Sequence, residues 1–232
     1  KSNFKKSKTN FYSDIKELKD SITYDSIIIA TKPNNYVEIL EDLKNQITVN
    51  EEILIISILA GIKIKKIENI IGSVPIIRAM PNIAASVAEG MTALTGNKKI
   101  TNDKIDTANM IFQSIGNKIW LEDECQMDSF TAISGSGPAY FFYFTECLHK
   151  IAIDEGFSED VAKQISEQIM IGSGKLIKDS NIDVVQLREN VTSPNGTTEA
   201  ALKVLCDDDG LLSKLREAIE KAKKRSIEIS NN

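Results

Sequence analysis

ILIISILAG, residues 53–61, decides the fold. From Ile53 to Ile58 only Ser57 interrupts a run of branched aliphatic side chains, and Ala60-Gly61 stops it. A short continuous apolar run closed by glycine is a strand covered on both faces, because a half-exposed strand would alternate with polar residues. Working outward, Ser26-Ile27-Ile28-Ile29-Ala30 is a second such run, stopped by Lys32-Pro33. Val74 to Met80 is a third, stopped by Pro81-Asn82, and Lys118-Ile119-Trp120-Leu121 offers a fourth. Helical spacing lies between them: Val37, Leu40 and Leu43, then Ile64, Ile67 and Ile70, then Ile105, Ala108, Met110, Ile111 and Ile115. Strands alternating with amphipathic helices predict a parallel sheet in a doubly wound α/β domain. Ligands of such sheets sit beyond the carboxyl ends of the strands. Ala30-Thr31-Lys32-Pro33, Leu59-Ala60-Gly61 and Met80-Pro81-Asn82 fall there.

The second half has a different character. After about Asp123 no convincing strand is found. Phe130 to Ile151 reads as one apolar helix carrying Tyr140-Phe141-Phe142-Tyr143-Phe144, and Val161 to Leu176 and Leu211 to Ile229 read as further helices. A helix apolar on every side is buried in a core or at a subunit contact, and core packing is the favoured reading of those aromatics. Leu211, Leu215, Ile219 and Ala222 form an apolar stripe on the last helix, with Lys221, Lys223, Lys224 and Arg225 as its solvated face. The division predicted is an α/β domain over residues 1–122 and a helical domain over 123–232.

Composition excludes several classes of function. The 232 residues are 42% hydrophobic and 26% charged, ordinary for a globular chain, and the net charge of −5 argues against non-specific nucleic-acid binding. No apolar run approaches the ~20 residues of a membrane span, and no signal peptide is visible. Cys125, Cys147 and Cys206 are odd in number and far apart, which is neither a disulfide framework nor a metal-ligand spacing and fits a reducing cytoplasm. His149, the single histidine, reads as a surface residue near a helix end.

One loop carries chemistry. Val191 to Leu205 reads VTSPNGTTEAALKVL, a Ser-Pro-Asn-Gly turn feeding a helix through two threonines. The first N–H groups of a helix lack partners inside it, and the helix dipole places partial positive charge there. Such a loop can hold a carboxylate between backbone N–H groups and the hydroxyls of Ser193, Thr197 and Thr198. Ser, Thr, Asn and Gly are also ordinary turn and cap residues, so a capped turn that binds nothing is the competing reading.

Five segments together resemble the pyrroline-5-carboxylate reductases: IIIATKP (Ile27 to Pro33), ISILAG (Ile56 to Gly61), IRAMPNIAASVAEGMTAL (Ile77 to Leu94), TAISGSGPAYFF (Thr131 to Phe142) and RENVTSPNGTTEAAL (Arg188 to Leu202). The first two recur among many dinucleotide-binding proteins; the last three are specific. The resemblance implies an incomplete doubly wound Rossmann-type domain followed by an all-α dimerisation domain. It implies reduction of 1-pyrroline-5-carboxylate to L-proline, the last step of proline biosynthesis, by hydride from NADPH, with NADH as the other candidate. Ala30, Thr31, Lys32, Pro33, Leu59, Ala60 and Gly61 would line the cofactor cleft, and Pro81 and Asn82 would lie near the nicotinamide. Ser2, with Lys5 and Lys6, would face the adenosine ribose and suit a 2′-phosphate; a flexible basic end is the equal alternative. Ser134 to Ala139 would begin the helix running between the domains, with Pro138 in its first turn. Ser193, Asn195, Gly196, Thr197 and Thr198 would bind the substrate, Thr198 as the catalytic residue near the ring nitrogen. A cytoplasmic homodimer or higher homo-oligomer is implied, with a small-molecule substrate and neither nucleic acid, membrane nor metal as partner.

Four departures from the family pattern matter. The sequence opens at Lys1, just after the position of the family's second strand, so the strand and glycine-rich turn that cradle the pyrophosphate would lie upstream, in a unit of roughly 30 residues. Without that turn, weak cofactor binding and weak or no activity are expected. Ile83-Ala84 stands where the family has Thr-Pro, and Asn195 replaces the first glycine of Ser-Pro-Gly-Gly, a position where asparagine tolerates positive φ. The surface is rich in Ile, Lys and Asn. An imine reductase therefore competes with a catalytically inactive helical oligomerisation module, and with a related dinucleotide-dependent oxidoreductase acting on another substrate.

Overall fold

The computed structural model describes residues 10–19 and 21–231. They form two compact units, one reaching Thr131 and regaining the chain at Ser226, the other Ala132–Arg225. The first unit holds a five-stranded sheet: β1 (Ser26–Ile29), β2 (Leu54–Ser57), β3 (Ile76–Met80), β4 (Gly90–Gly96) and β5 (Gly116–Trp120), paired in that order. Helices α1 (Tyr36–Gln46), α2 (Ile64–Ile71) and α3 (Asn102–Gln113) connect them.

Alternation of the apolar runs fills both faces of the sheet. Ile29, Ile55 and Ile76 pack with Leu40, Leu43, Ile64, Ile67 and Ile71 of α1 and α2. Leu54, Ile56, Ile77, Ala79 and Leu94 pack on the other face with Ala108 and Phe112 of α3. All four residues of β2 are buried, Ser57 with the three aliphatic ones, as a strand covered on both faces requires.

The sheet is mixed, which corrects the expectation of an all-parallel one. β1, β2 and β3 run parallel, β4 runs antiparallel to β3, and β5 parallel to β4. Residues 81–89 are too few for a covered crossover, so the chain turns back on itself through a 3-10 turn at Ile83–Val87. β4 itself, GMTALTG, escapes sequence reading because glycines and threonines break its apolar signal.

The second unit is helical: α5 (Gly137–Asp154), α6 (Glu159–Asp179), α7 (Val184–Asn190), α8 (Thr197–Leu205) and most of α9 (Leu211–Asn231). The single helix expected from Phe130 to Ile151 is instead broken. A short α4 (Gln126–Phe130) passes into a π-helical turn at Thr131–Gly135, and α5 starts anew at Gly137 with Pro138 in its first turn. The Ser-Gly-Ser-Gly-Pro run explains the break: glycine and serine are weak helix formers, and proline removes a donor. Within the unit, Tyr140 donates its hydroxyl to the Ala132 carbonyl at 2.8 Å, fastening α5 to the π turn.

Core packing of the aromatic run is also corrected. Phe141, Phe142 and Tyr143 are each more than 60% exposed on α5, and Ile151, Ile171 and Leu176 are exposed on α5 and α6. A helix that presents this much apolar surface in the single chain does not fill its internal core, and the surface fits a subunit contact. No helix among the described residues is long and apolar enough to cross a membrane.

Candidate functional site

Three loops of the first unit converge through topology. Because β1, β2 and β3 are adjacent and parallel, their carboxyl ends lie along one edge of the sheet, and Ala30–Pro33, Leu59–Gly61 and Pro81–Asn82 follow them directly. Ala30, Thr31 and Lys32 are exposed and Pro33 opens a 3-10 turn ahead of α1. Ser2, Lys5 and Lys6 lie outside the described residues.

The second loop is the most constrained. Ile58 N–H donates to the Ile29 carbonyl at 3.1 Å, so the loop leaves β2 still tied to β1. Leu59 is buried while Ala60 is exposed. Ile62 N–H closes a turn on the Leu59 carbonyl at 3.4 Å, and Gly61, its third residue, has φ +77. A turn of this kind needs positive φ at that position, which glycine adopts without strain. The third loop is held by Asn82, whose side-chain oxygen accepts the Met91 N–H at 3.3 Å across the reversal between β3 and β4.

A buried ion pair braces this side of the sheet. Arg78, 3% exposed on β3, meets Glu124 at 2.9 Å. The same carboxylate oxygen accepts the Ile64 N–H at 2.9 Å and so caps the first turn of α2, directly after the Leu59–Gly61 loop. Sequence reading passed over both residues, since a lone arginine in an apolar strand was the only signal.

The second unit brings the other five residues together. Ser193, Pro194, Asn195 and Gly196 form a turn in which Gly196 N–H donates to the Ser193 carbonyl at 3.0 Å. Asn195 takes φ +58, the left-handed conformation that asparagine tolerates in place of glycine. A Cβ at Gly196 would lie 2.7 Å from Ser193 Oγ and 2.9 Å from its carbonyl oxygen, so the turn closes only around glycine. Thr197 and Thr198 follow as the first residues of α8, whose N-cap Gly196 makes no side-chain cap. The amides of Thr197 and Thr198 have no carbonyl ahead of them within the helix. The structure refines which donors the loop has to offer. Asn195 N–H is taken by Glu199 Oε2 at 2.9 Å and Gly196 N–H by Ser193, so an anion would meet the first-turn amides and hydroxyls. Glu199, in the first turn of the helix, was the signal for that contact.

His149 pairs with Glu159 at 3.0 Å between α5 and α6, apart from every candidate residue in sequence.

Comparison with known proteins decides the family. The chain is 33% identical over 207 residues to the pyrroline-5-carboxylate reductase of Pseudomonas aeruginosa, covering 89% of this chain and 75% of that one. The chain belongs to the pyrroline-5-carboxylate reductase family. Residues 124–229 also match the family model for pyrroline-5-carboxylate reductase dimerisation. Among solved structures, a pyrroline-5-carboxylate reductase from Coxiella burnetii superposes with a TM-score of 0.86 at 34% identity, over 94% of this chain and 80% of that one. Pyrroline carboxylate reductase from Plasmodium falciparum, solved with NADP bound, superposes with a TM-score of 0.81 at 32% identity, over 97% and 84%. Rossmann-type sheet and helical dimerisation region are thus what this chain has in common with the reductases.

Proposed function

We propose that this chain reduces 1-pyrroline-5-carboxylate to L-proline with NADPH, as the last step of proline biosynthesis. The observation that carries the reading is the Ser193–Thr198 turn at the start of α8, found in a chain 33% identical to a reductase of that name. The division of labour proposed is a dinucleotide-binding domain over residues 1–122 and a helical domain over 123–232.

The loops fit a dinucleotide. At these adjacent strand ends Ala30, Thr31, Lys32 and Ala60 are exposed, where a ligand of a parallel sheet would lie. Ala30, Thr31, Lys32, Pro33, Leu59, Ala60, Gly61, Pro81 and Asn82 would hold it; the bound NADP of the Plasmodium falciparum relative supports NADPH as the choice. NADPH, when bound, supplies the hydride. The residues of the chain bind and orient. The amides of Thr197 and Thr198, at the positive end of the α8 dipole, and the Ser193 and Thr197 hydroxyls hold the substrate carboxylate. Thr198 Oγ1 accepts the N–H of the protonated ring nitrogen. That iminium carbon already accepts hydride, so orientation rather than a strong acid or base is what the protein contributes.

The exposed aromatic face of α5 supports a homo-oligomer, at least a dimer. A cytoplasmic setting belongs to the same reading, on three unpaired cysteines.

The test is Thr198→Ala. Loss of one hydrogen bond to a charged group, about 1.5–3 kcal/mol, predicts a ten- to hundredfold drop in kcat/KM for pyrroline-5-carboxylate. The Kd for NADPH should stay within twofold. Unchanged kinetics with the imine would remove Thr198 from the site, and a wild-type chain inert toward the imine would remove the activity.

A further inference from the structure

Asp128 is a buried carboxylate that neither the sheet nor the proposed chemistry uses. It lies on α4, 9% exposed, and one of its oxygens, Oδ1, accepts two hydroxyls: Ser226 Oγ at 2.7 Å and Ser230 Oγ at 3.1 Å. The two serines are buried one turn apart on the same face of α9. Serine is a mediocre helix former, and burying a carboxylate is costly unless its lone pairs are met, so this contact is a polar latch rather than incidental packing.

What the latch fastens is the end of α9, and that end lies against the Leu59–Gly61 loop. A Cβ at Gly61 would come within 2.5 Å of Ile229 Cγ2 and 3.3 Å of the Ile229 carbonyl carbon. Lys63 Nζ donates to Asn231 Oδ1 at 3.1 Å. Ile229 and Asn231 flank the buried Ser230, so the hydroxyl contacts set the position of the residue against Gly61 and of the one that holds Lys63, just after the loop.

We infer that Asp128 is a positioning residue for the dinucleotide loop: through Ser226 and Ser230 it seats the last turn of α9 as a wall behind Gly61. This rests on the proposed role of Leu59–Gly61 in holding NADPH. The loop's turn is closed by one hydrogen bond of 3.4 Å, and the wall supplies restraint that the turn itself lacks. Removing it leaves the loop sampling conformations in which the cofactor binds less well, and the affinity falls by the fraction of competent loop.

The experiment measures two things on the purified chain: amide hydrogen exchange at residues 60–63, without cofactor, and NADPH affinity by fluorescence titration. Asp128→Ala should speed exchange at residues 60–63 about tenfold and raise the NADPH Kd about tenfold. The kcat at saturating cofactor should stay within twofold. Asp128→Asn should restore both values to within about threefold, because an amide oxygen can take the place of Oδ1 and accept both hydroxyls. The double variant Ser226→Ala, Ser230→Ala should match Asp128→Ala and decides the matter if that variant does not fold. Faster exchange confined to residues 226–231, with residues 60–63 and the Kd unchanged, overturns the inference. If the wild-type chain reduces no pyrroline-5-carboxylate, the proposed function fails alone, and exchange at residues 60–63 still decides the role of Asp128.

Discussion

The Arg78–Glu124 pair allows the sharpest test of what braces the sheet. Arg78 is 3% exposed, so its guanidinium has almost no access to water, and Glu124 at 2.9 Å supplies the compensating charge. Removing one partner of a buried pair strands the other, at about 3–5 kcal/mol. Glu124 is 26% exposed, so water can enter the space it vacates, which favours the lower end, about 3 kcal/mol. Glu124 also accepts the Ile64 N–H, and losing that cap adds about 1 kcal/mol. Glu124→Ala should therefore destabilise the chain by about 4 kcal/mol, or roughly 10 °C in Tm. The double variant Arg78→Met, Glu124→Ala removes the stranded charge as well, and it should recover about 2 kcal/mol of that loss because an apolar side chain suits the site. Urea unfolding followed by circular dichroism measures both. The reasoning is refuted if Glu124→Ala loses less than about 1 kcal/mol, or if the double variant is no more stable than the single one.

Two further predictions follow from other parts of the chain. Gly196→Ala must open the Ser193–Gly196 turn, because the added methyl would sit 2.7 Å from Ser193 Oγ; steady-state kinetics should show KM for the imine rising about tenfold with NADPH Kd unchanged, and an unaltered KM would contradict the closed turn. Stability should fall on acidification. A hydrogen bond from Lys99 and its charge hold Glu51 below its ordinary value of 4.5, Lys221 does the same for Glu217, and the Thr101 hydroxyl lowers Asp103. The unfolded chain then binds more protons than the folded one, so this contribution is complete above about pH 4.5 and is lost as pH falls through the lowered native values. These groups are exposed, so the effect is small and weakens with salt; urea midpoints from pH 6 down to about pH 3 should decline less steeply in Glu51→Gln, and a rise on acidification would contradict the assignment.

Local signals in the chain itself are enough for four of the five strands, for the loops at the carboxyl ends of β1, β2 and β3, and for the turn ahead of α8. The short β-branched run in ILIISILAG, stopped by glycine, reads as a strand covered on both faces, and the helices around it have the spacing to cover them. Once adjacent parallel strands are granted, their loops must share one edge, which is why the convergence of Ala30–Pro33, Leu59–Gly61 and Pro81–Asn82 is legible in the sequence. Ser-Pro-Asn-Gly-Thr-Thr announced a turn feeding a helix because each residue type has its own backbone preference.

Tertiary structure decided what depends on partners distant in sequence. β4 carries no strand signal of its own and exists because its backbone pairs with β3 on one side and β5 on the other. The break before α5 depends on a π turn that helix periodicity does not register. The aromatic run of α5 is equally apolar whether it fills a core or a subunit contact, and only its exposure in the folded chain separates the two. Ser226 and Ser230 look like ordinary polar residues of a charged helix until Asp128, about a hundred residues earlier, is placed beside them. Apolar periodicity is a property of a segment; a charge or a hydroxyl acquires its meaning from what the fold sets against it.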